Sequence, residues 1–121
     1  MEQIINWIEI PAADLARAKK FYENAFDMKF SDLEIDGATY AVANYKGNEG
    51  LLALAKSPNH TPASQGIMIY LNAGPDMTYY TDKIGKAGGQ VVMPKTFVNE
   101  MVGNVGVFVD SEGNSLGLHH M

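Results

Sequence analysis

The chain contains no cysteine at all. Disulfides, thiolate nucleophiles and cysteine-based zinc sites are therefore excluded, and any metal would have to be held by imidazole or carboxylate. Basic residues are also in short supply. Nine Lys and Arg stand against fourteen Asp and Glu, giving a net charge of −5 and a pI near 5.0. With no Lys/Arg run, the chain lacks the basic patch that a phosphate backbone requires, so a nucleic-acid surface is not expected. No apolar stretch approaches the length of a membrane span. Met1-Glu2-Gln3-Ile4-Ile5 has no basic segment leading into an apolar one, so the expectation is a cytoplasmic protein that does not engage a membrane. Tryptophan occurs once, at position 7.

What is present is a pattern that occurs twice. Asp14-Leu15-Ala16-Arg17-Ala18 and Asp76-Met77-Thr78-Tyr79-Tyr80 each open a helix-length segment after an apolar run. Gly47-Asn48 and Gly113-Asn114 each precede a further short apolar run. Self-similarity with a period near half the chain is the signature of a duplicated unit. At 121 residues and 46% hydrophobic, the chain is sized for one core shared by both halves, since about 60 residues alone would be marginal.

Ile4 to Ile10 reads as a buried strand ended by Pro11. Leu15, Ala18, Phe21, Tyr22, Ala25 and Phe26 fall at helical spacing behind Asp14, a residue suited to the N-cap. Three strands are expected at Lys29 to Leu33, Thr39 to Asn44 and Leu51 to Ala55, turned at Asp36-Gly37 and Gly47-Asn48. Residues 57–65, with two prolines, read as a linker in which His60 is simply exposed. The order then repeats: a strand at Gly66 to Asn72, a helical stripe of Met77, Tyr80, Ile84 and Ala87 stopped by Gly88-Gly89, and strands at Gln90 to Phe97, Gly103 to Val109 and Ser115 to His119. The expectation is an α+β fold of two tandem βαβββ modules, residues 1–56 and 66–121, building one cup-shaped domain of mixed sheets over residues 1–121.

The run Ile5-Asn6-Trp7-Ile8-Glu9-Ile10-Pro11-Ala12-Ala13-Asp14-Leu15 with Lys20-Phe21-Tyr22 resembles the opening of vicinal oxygen chelate proteins, the superfamily of glyoxalase I, bleomycin resistance proteins and extradiol dioxygenases. Asp110-Ser111-Glu112-Gly113-Asn114-Ser115-Leu116-Gly117-Leu118 resembles the Asp-Pro-x-Gly-Asn-x-x-Glu-Leu ending of the same family. Within it, the chain is most similar to an uncharacterised bacterial glyoxalase-like group whose first strand reads Trp-x-Glu-Ile-Pro. The resemblance implies a cup with four metal-ligating positions on the first and fourth strands of the modules, commonly two His and two Glu. Matched residue by residue, the first-strand His corresponds to Trp7 and the last-strand Glu to Gly117. The internal repeat places Leu51 at the other fourth-strand position, and Met68 or Ile69 at the other first-strand position. None of these is a ligand for a hard or borderline cation, so the expected metal set is empty and no cofactor is expected.

Residues two apart on a strand share a face, which adds Glu9 to Trp7, Tyr70 to Met68 and His119 to Gly117. Together they suggest a pocket for a small, partly apolar ligand, lined by Trp7, Glu9, Leu51, Met68, Tyr70, Gly117 and His119. The alternative is that Trp7 and Met68 merely fill space that a metal site would have used. Glu9 and His119 are the candidate catalytic residues, with Glu9 a possible general base or simply a fixed strand partner. Three functions stay open: a small-molecule binder with a metal-free cup; a lyase, isomerase or dioxygenase-type enzyme acting through Glu9 and His119 or displaced ligands; and an interaction module with a vestigial cup. A homodimer is expected from open sheet edges.

Overall fold

The computed structural model describes residues 3–45 and 51–121; the Gly47-Asn48 half of the repeat lies outside them. The first module comprises β1 (Ile8–Pro11), α1 (Leu15–Phe26), β2 (Phe30–Ile35), β3 (Ala38–Ala43) and β4 (Leu52–Lys56). The second comprises β5 (Tyr70–Asn72), α2 (Met77–Ile84), β6 (Gln90–Asn99), β7 (Gly103–Val109) and β8 (Ser115–His120). Each module is βαβββ, and each forms one four-stranded mixed sheet, in the orders β1-β4-β3-β2 and β5-β8-β7-β6. The first strand of each module pairs parallel with the last, Ile8 beside Leu52 and Tyr70 beside Gly117, while the remaining pairs are antiparallel.

Local chemistry sets the helix ends. Asp14 is extended and its carboxylate accepts from Arg17 N at 3.0 Å, as an N-cap should. Helix α1 buries Ala18, Phe21, Tyr22, Ala25 and Phe26 along one stripe and stops at Asp27, which takes a left-handed conformation, φ 57°. Non-glycine residues rarely adopt that conformation. Here it turns the Asp27 carboxylate toward α2, where it accepts from Lys83 Nζ at 3.0 Å and Tyr79 Oη at 2.8 Å. Asp36-Gly37 turns β2 into β3 with both residues at positive φ, as a tight hairpin of this type demands.

Two strands are shorter than their apolar runs. Residues 4–7 and 66–69 precede β1 and β5 without entering a ladder, and Ile4 and Ile67 are 85% and 95% exposed. Hydrophobic composition marks the run, but a strand exists only where a neighbour supplies hydrogen bonds, and β4 and β8 begin pairing at Leu52 and Gly117. Helix α2 likewise ends at Ile84, ahead of Ala87, and the chain closes through Gly89 N to Ile84 O at 2.9 Å.

The core draws on both halves. Ile10, Phe21, Phe26 and Leu54 join Met77, Ile84, Phe108 and Leu118 in one buried cluster. The Phe26 ring lies 5.3 Å from Phe108 and 5.4 Å from Tyr80, so a helix of the first module packs on a strand and a helix of the second. A buried polar knot stands beside it. Tyr22 Oη donates to Asp110 Oδ2 at 2.8 Å; Asn114 Nδ2 donates to Pro11 O at 2.7 Å and to Asp110 at 3.0 Å; Asn114 Oδ1 accepts from Ala63 N at 3.1 Å. Burial, with the Asp110 charge second, pushes the Tyr22 hydroxyl well above its ordinary range and keeps it a donor.

Asn114→Ala is expected to strip partners from Asp110, Pro11 and Ala63 at once and to destabilise the fold by about 2–4 kcal/mol. Tyr22→Phe, which removes one donor, is expected to cost about 1–2 kcal/mol. Urea titration followed by circular dichroism measures both, and equal costs would contradict the network.

Candidate functional site

Trp7, the residue just before β1, and Glu9 on β1 share a face as alternation expects, and they are bonded to each other: Trp7 Nε1 donates to Glu9 Oε2 at 2.8 Å. The other carboxylate oxygen, Glu9 Oε1, receives His60 Nε2 at 2.7 Å. His60 Nδ1 lies 2.6 Å from Ser57 Oγ. His60 is thus not the exposed linker residue that its polar surroundings suggest. Its side chain is partly buried, and the Tyr40 ring meets it edge-on with centroids 6.3 Å apart. The turn Ser57-Pro58-Asn59-His60, closed by His60 N to Ser57 O at 3.1 Å, folds the chain back from the end of β4 over the face carrying Glu9.

These bonds have a direction. An ionised carboxylate can only accept, so the ring nitrogen facing Glu9 carries a proton, and in the neutral ring Nδ1 then accepts from the Ser57 hydroxyl. The Trp7 indole N–H, then the His60 hydrogen bond, hold the Glu9 carboxyl below its usual range against the opposing effect of burial. Glu9 is a fixed anion, which counts against a general base whose pKa is raised toward neutrality.

Equivalent hydrogen bonds align the modules: Ala12 N to Ala55 O and Ala73 N to His119 O, each at 2.8 Å. Counting back equally from Ala12 and Ala73 sets Met68 opposite Trp7 and Tyr70 opposite Glu9. Tyr70 stands across the ladder from Gly117, as Glu9 does from Ala53. The Tyr70 ring lies directly over Gly117, where a Cβ would overlap it.

A cleft of about 660 Å³ opens between the start of β1, the segment leading into β5, and the linker. Trp7, Glu9, Met68 and Tyr70 all line it, with Thr61, Gln65 and Ile67. Trp7 is 41% exposed there. Two other expected site residues lie elsewhere. Leu51 lines a separate apolar cavity of about 240 Å³ beside Phe26 and Tyr80. His119 Nε2 is 2.5 Å from Val102 O, at a second surface hollow with Asn72 and His120, and does not meet Glu9. The structure pairs Glu9 with His60 and Ser57 instead. Among the described residues, no three His, Asp or Glu side chains converge as a metal site would require.

A carboxyl whose folded-state pKa lies below its unfolded value adds stability at neutral pH. That stability persists down to the unfolded value and is lost as pH falls through the folded one. For Glu9, lowered from 4.5, the loss falls on the acid side. Glu9→Gln is therefore expected to flatten the acid limb of stability, measured as urea midpoints between about pH 7 and about pH 3. An unchanged acid limb would mean that the Trp7 and His60 contacts do not act on this carboxyl.

The comparisons with known proteins bear on the family and the fold. Residues 4–118 match the family model of the glyoxalase/bleomycin resistance protein/dioxygenase superfamily. The CFP32 proteins of Mycobacterium bovis and Mycobacterium tuberculosis, named as glyoxylases, are 30% identical over 118 residues. That alignment covers 93% of this chain but only 44% of theirs. Among solved structures, a glyoxylase/bleomycin resistance protein/dioxygenase domain from Frankia sp. superposes with a TM-score of 0.74 at 16% identity, covering 97% of this chain and 90% of that one. Glyoxalase I from Zea mays gives 0.69 at 20% identity, covering 92% and 43%. With the paired βαβββ modules and the family model spanning nearly its whole length, the chain belongs to the glyoxalase/bleomycin resistance protein/dioxygenase superfamily.

Proposed function

We propose that this protein binds a small, partly apolar molecule in the cleft at Trp7, Glu9, Met68 and Tyr70, as one glyoxalase-like domain, and that it does so without a metal. The observation that carries the reading is the cleft itself, with a half-exposed indole on one wall and thioether and phenol groups on the other. Large apolar faces with a few fixed polar groups are what a ligand of this kind needs. The alternative, that Trp7 and Met68 only fill space, accords poorly with their exposures of 41% and 36%.

The metal-free part rests on donor chemistry and on space. Indole at Trp7, thioether at Met68 and the bare backbone at Gly117 offer nothing to a hard or borderline cation. A carboxylate side chain at position 117 would first have to displace the Tyr70 ring. The residues present do not fit the family metal. An enzymatic reading through Glu9 and His119 is not favoured, because the two residues do not meet and Glu9 already has donors on both oxygens.

The proposed partners are this ligand and a second copy of the chain, in a cytoplasmic protein with no nucleic-acid partner. Support for a homodimer comes from exposed apolar side chains such as Ile4, Ile67, Phe97 and Met101. No described helix is long and apolar enough to cross a membrane.

A metabolite panel read by fluorescence should yield a ligand that perturbs Trp7. Trp7→Phe should weaken its binding by about tenfold while the protein stays folded, whereas a buried-core tryptophan would cost several kcal/mol on the same change. A severely destabilised Trp7→Phe variant that binds with unchanged affinity would remove Trp7 from the site. Elemental analysis of untagged protein should find no stoichiometric zinc, nickel, manganese or iron. Roughly one metal per chain, lost on changing a cleft residue, would overturn the metal-free reading. Light scattering should return twice the 13.2 kDa chain mass at micromolar concentration, and a monomer mass would refute the dimer.

A further inference from the structure

Among the described residues lining the Trp7 cleft, Glu9 carries the only formal charge, and none of them is Lys or Arg. Of the other polar side chains there, Asn114 is already committed, with Nδ2 on Pro11 O and Asp110 and Oδ1 taken by Ala63 N. Glu9 differs. Each of its oxygens has one donor, Trp7 Nε1 on one and His60 Nε2 on the other, while a carboxylate has room for about four, and its side chain is 31% exposed.

With Nε2–H on Glu9 and Nδ1 facing the Ser57 hydroxyl, the hydrogen bonding of a neutral His60 ring is complete, and no second proton is needed to satisfy it. The hydroxyl can turn its proton to Nδ1 while its oxygen accepts from Asn59 N at 3.0 Å. A carboxylate thus sits against the edge of an exposed indole in a cleft with no Lys or Arg among its described lining residues, on a chain of net charge −5.

Resting on the binding reading above, we infer that the ligand is a cation: a flat apolar body bearing a protonated amine or an amidine-like group, its ring over Trp7 and its N–H on Glu9. Carboxylate and ion–ring attraction reinforce each other for such a molecule, since the indole face is itself negative. An anionic ligand would meet the Glu9 carboxylate and, among the described lining residues, no Lys or Arg to offset it. Trp7 and His60 act as positioning residues that keep Glu9 ionised and aimed.

Calorimetry with three matched probes tests this: 1-naphthylmethylamine, 1-naphthalenemethanol and 1-naphthoate. The amine should bind at least about tenfold more tightly than the alcohol, the carboxylate should bind most weakly, and added salt should narrow the gap. Glu9→Gln, which keeps the shape and an acceptor for Trp7, should bring amine and alcohol within about threefold of each other, chiefly through loss of amine affinity. Thermal melting checks that the variant is folded. If it is not, Glu9→Asp serves in its place, expected to keep the preference for the amine while weakening it. Alcohol or naphthoate binding as tightly as the amine, or an amine preference that survives Glu9→Gln, overturns the cationic assignment and leaves the binding reading standing. Failure of all three probes to bind or to move Trp7 fluorescence overturns the binding reading beneath it.

Discussion

Much of this molecule depends on one buried carboxylate. Asp110, 4% exposed, accepts on Oδ1 from the backbone N–H groups of Glu112 and Asn114, both at 2.9 Å, and on Oδ2 from Tyr22 and the Asn114 amide. A charge taken out of water is tolerable only when its lone pairs are filled this way. Filling them fixes the turn before β8, and the turn fixes the rest. Asn114 reaches Pro11 at the end of β1, Ala63 in the linker docks on Asn114 and Ser115, and Tyr22 anchors α1. Outside the knot, Glu112 clamps the start of the same helix, accepting from Asp14 N at 2.8 Å and from Arg17 Nε at 2.7 Å.

The cleft follows from that arrangement. With β1 held at Pro11 and the linker held at Ala63, Glu9 and His60 are brought onto the same side of the first sheet although they lie 51 residues apart. Residues 4–7 and 66–69 belong to no ladder, so the cleft walls depend on the knot together with single ties such as Gly117 N to Ile69 O at 2.8 Å. Trp7 owes its position to a side chain, the Glu9 carboxylate, more than to backbone pairing.

Sequence reading carried further for the fold than for the site, and the reason is physical. The Asp14 cap, the α1 stripe and the Asp36-Gly37 hairpin are local, encoded within a few residues, and the structure has each of them. Strand alternation likewise put Trp7 beside Glu9. The partnership of Glu9 with His60 is long-range and has no periodic signature. The available clue is topological: a first strand parallel to the fourth places Glu9 beside Ala53, and a Ser-Pro-Asn turn straight after that strand returns the chain to the same place. His119 shows the converse. Its strand parity is right, but parity fixes a face and says nothing about distance along the sheet, and its imidazole ends against Val102.

The outer margins of the two sheets carry a consequence for self-association. Each sheet has two edge strands, β1 and β2 in one and β5 and β6 in the other; β2 and β6 are the longer edge strands. A bare rim is a template on which further strands can polymerise. On β2 the neighbours of the apolar Leu33 and Ile35 are Asp32 and Glu34, and an incoming copy in register would set like charges against each other. On β6 the ladder slips at three places, and Pro94 between Met93 and Lys95 has no N–H to offer. Endless edge-to-edge growth is therefore discouraged along β2 and β6, and a contact between copies on those margins is steered toward side-chain surfaces, where it can close on itself and stop.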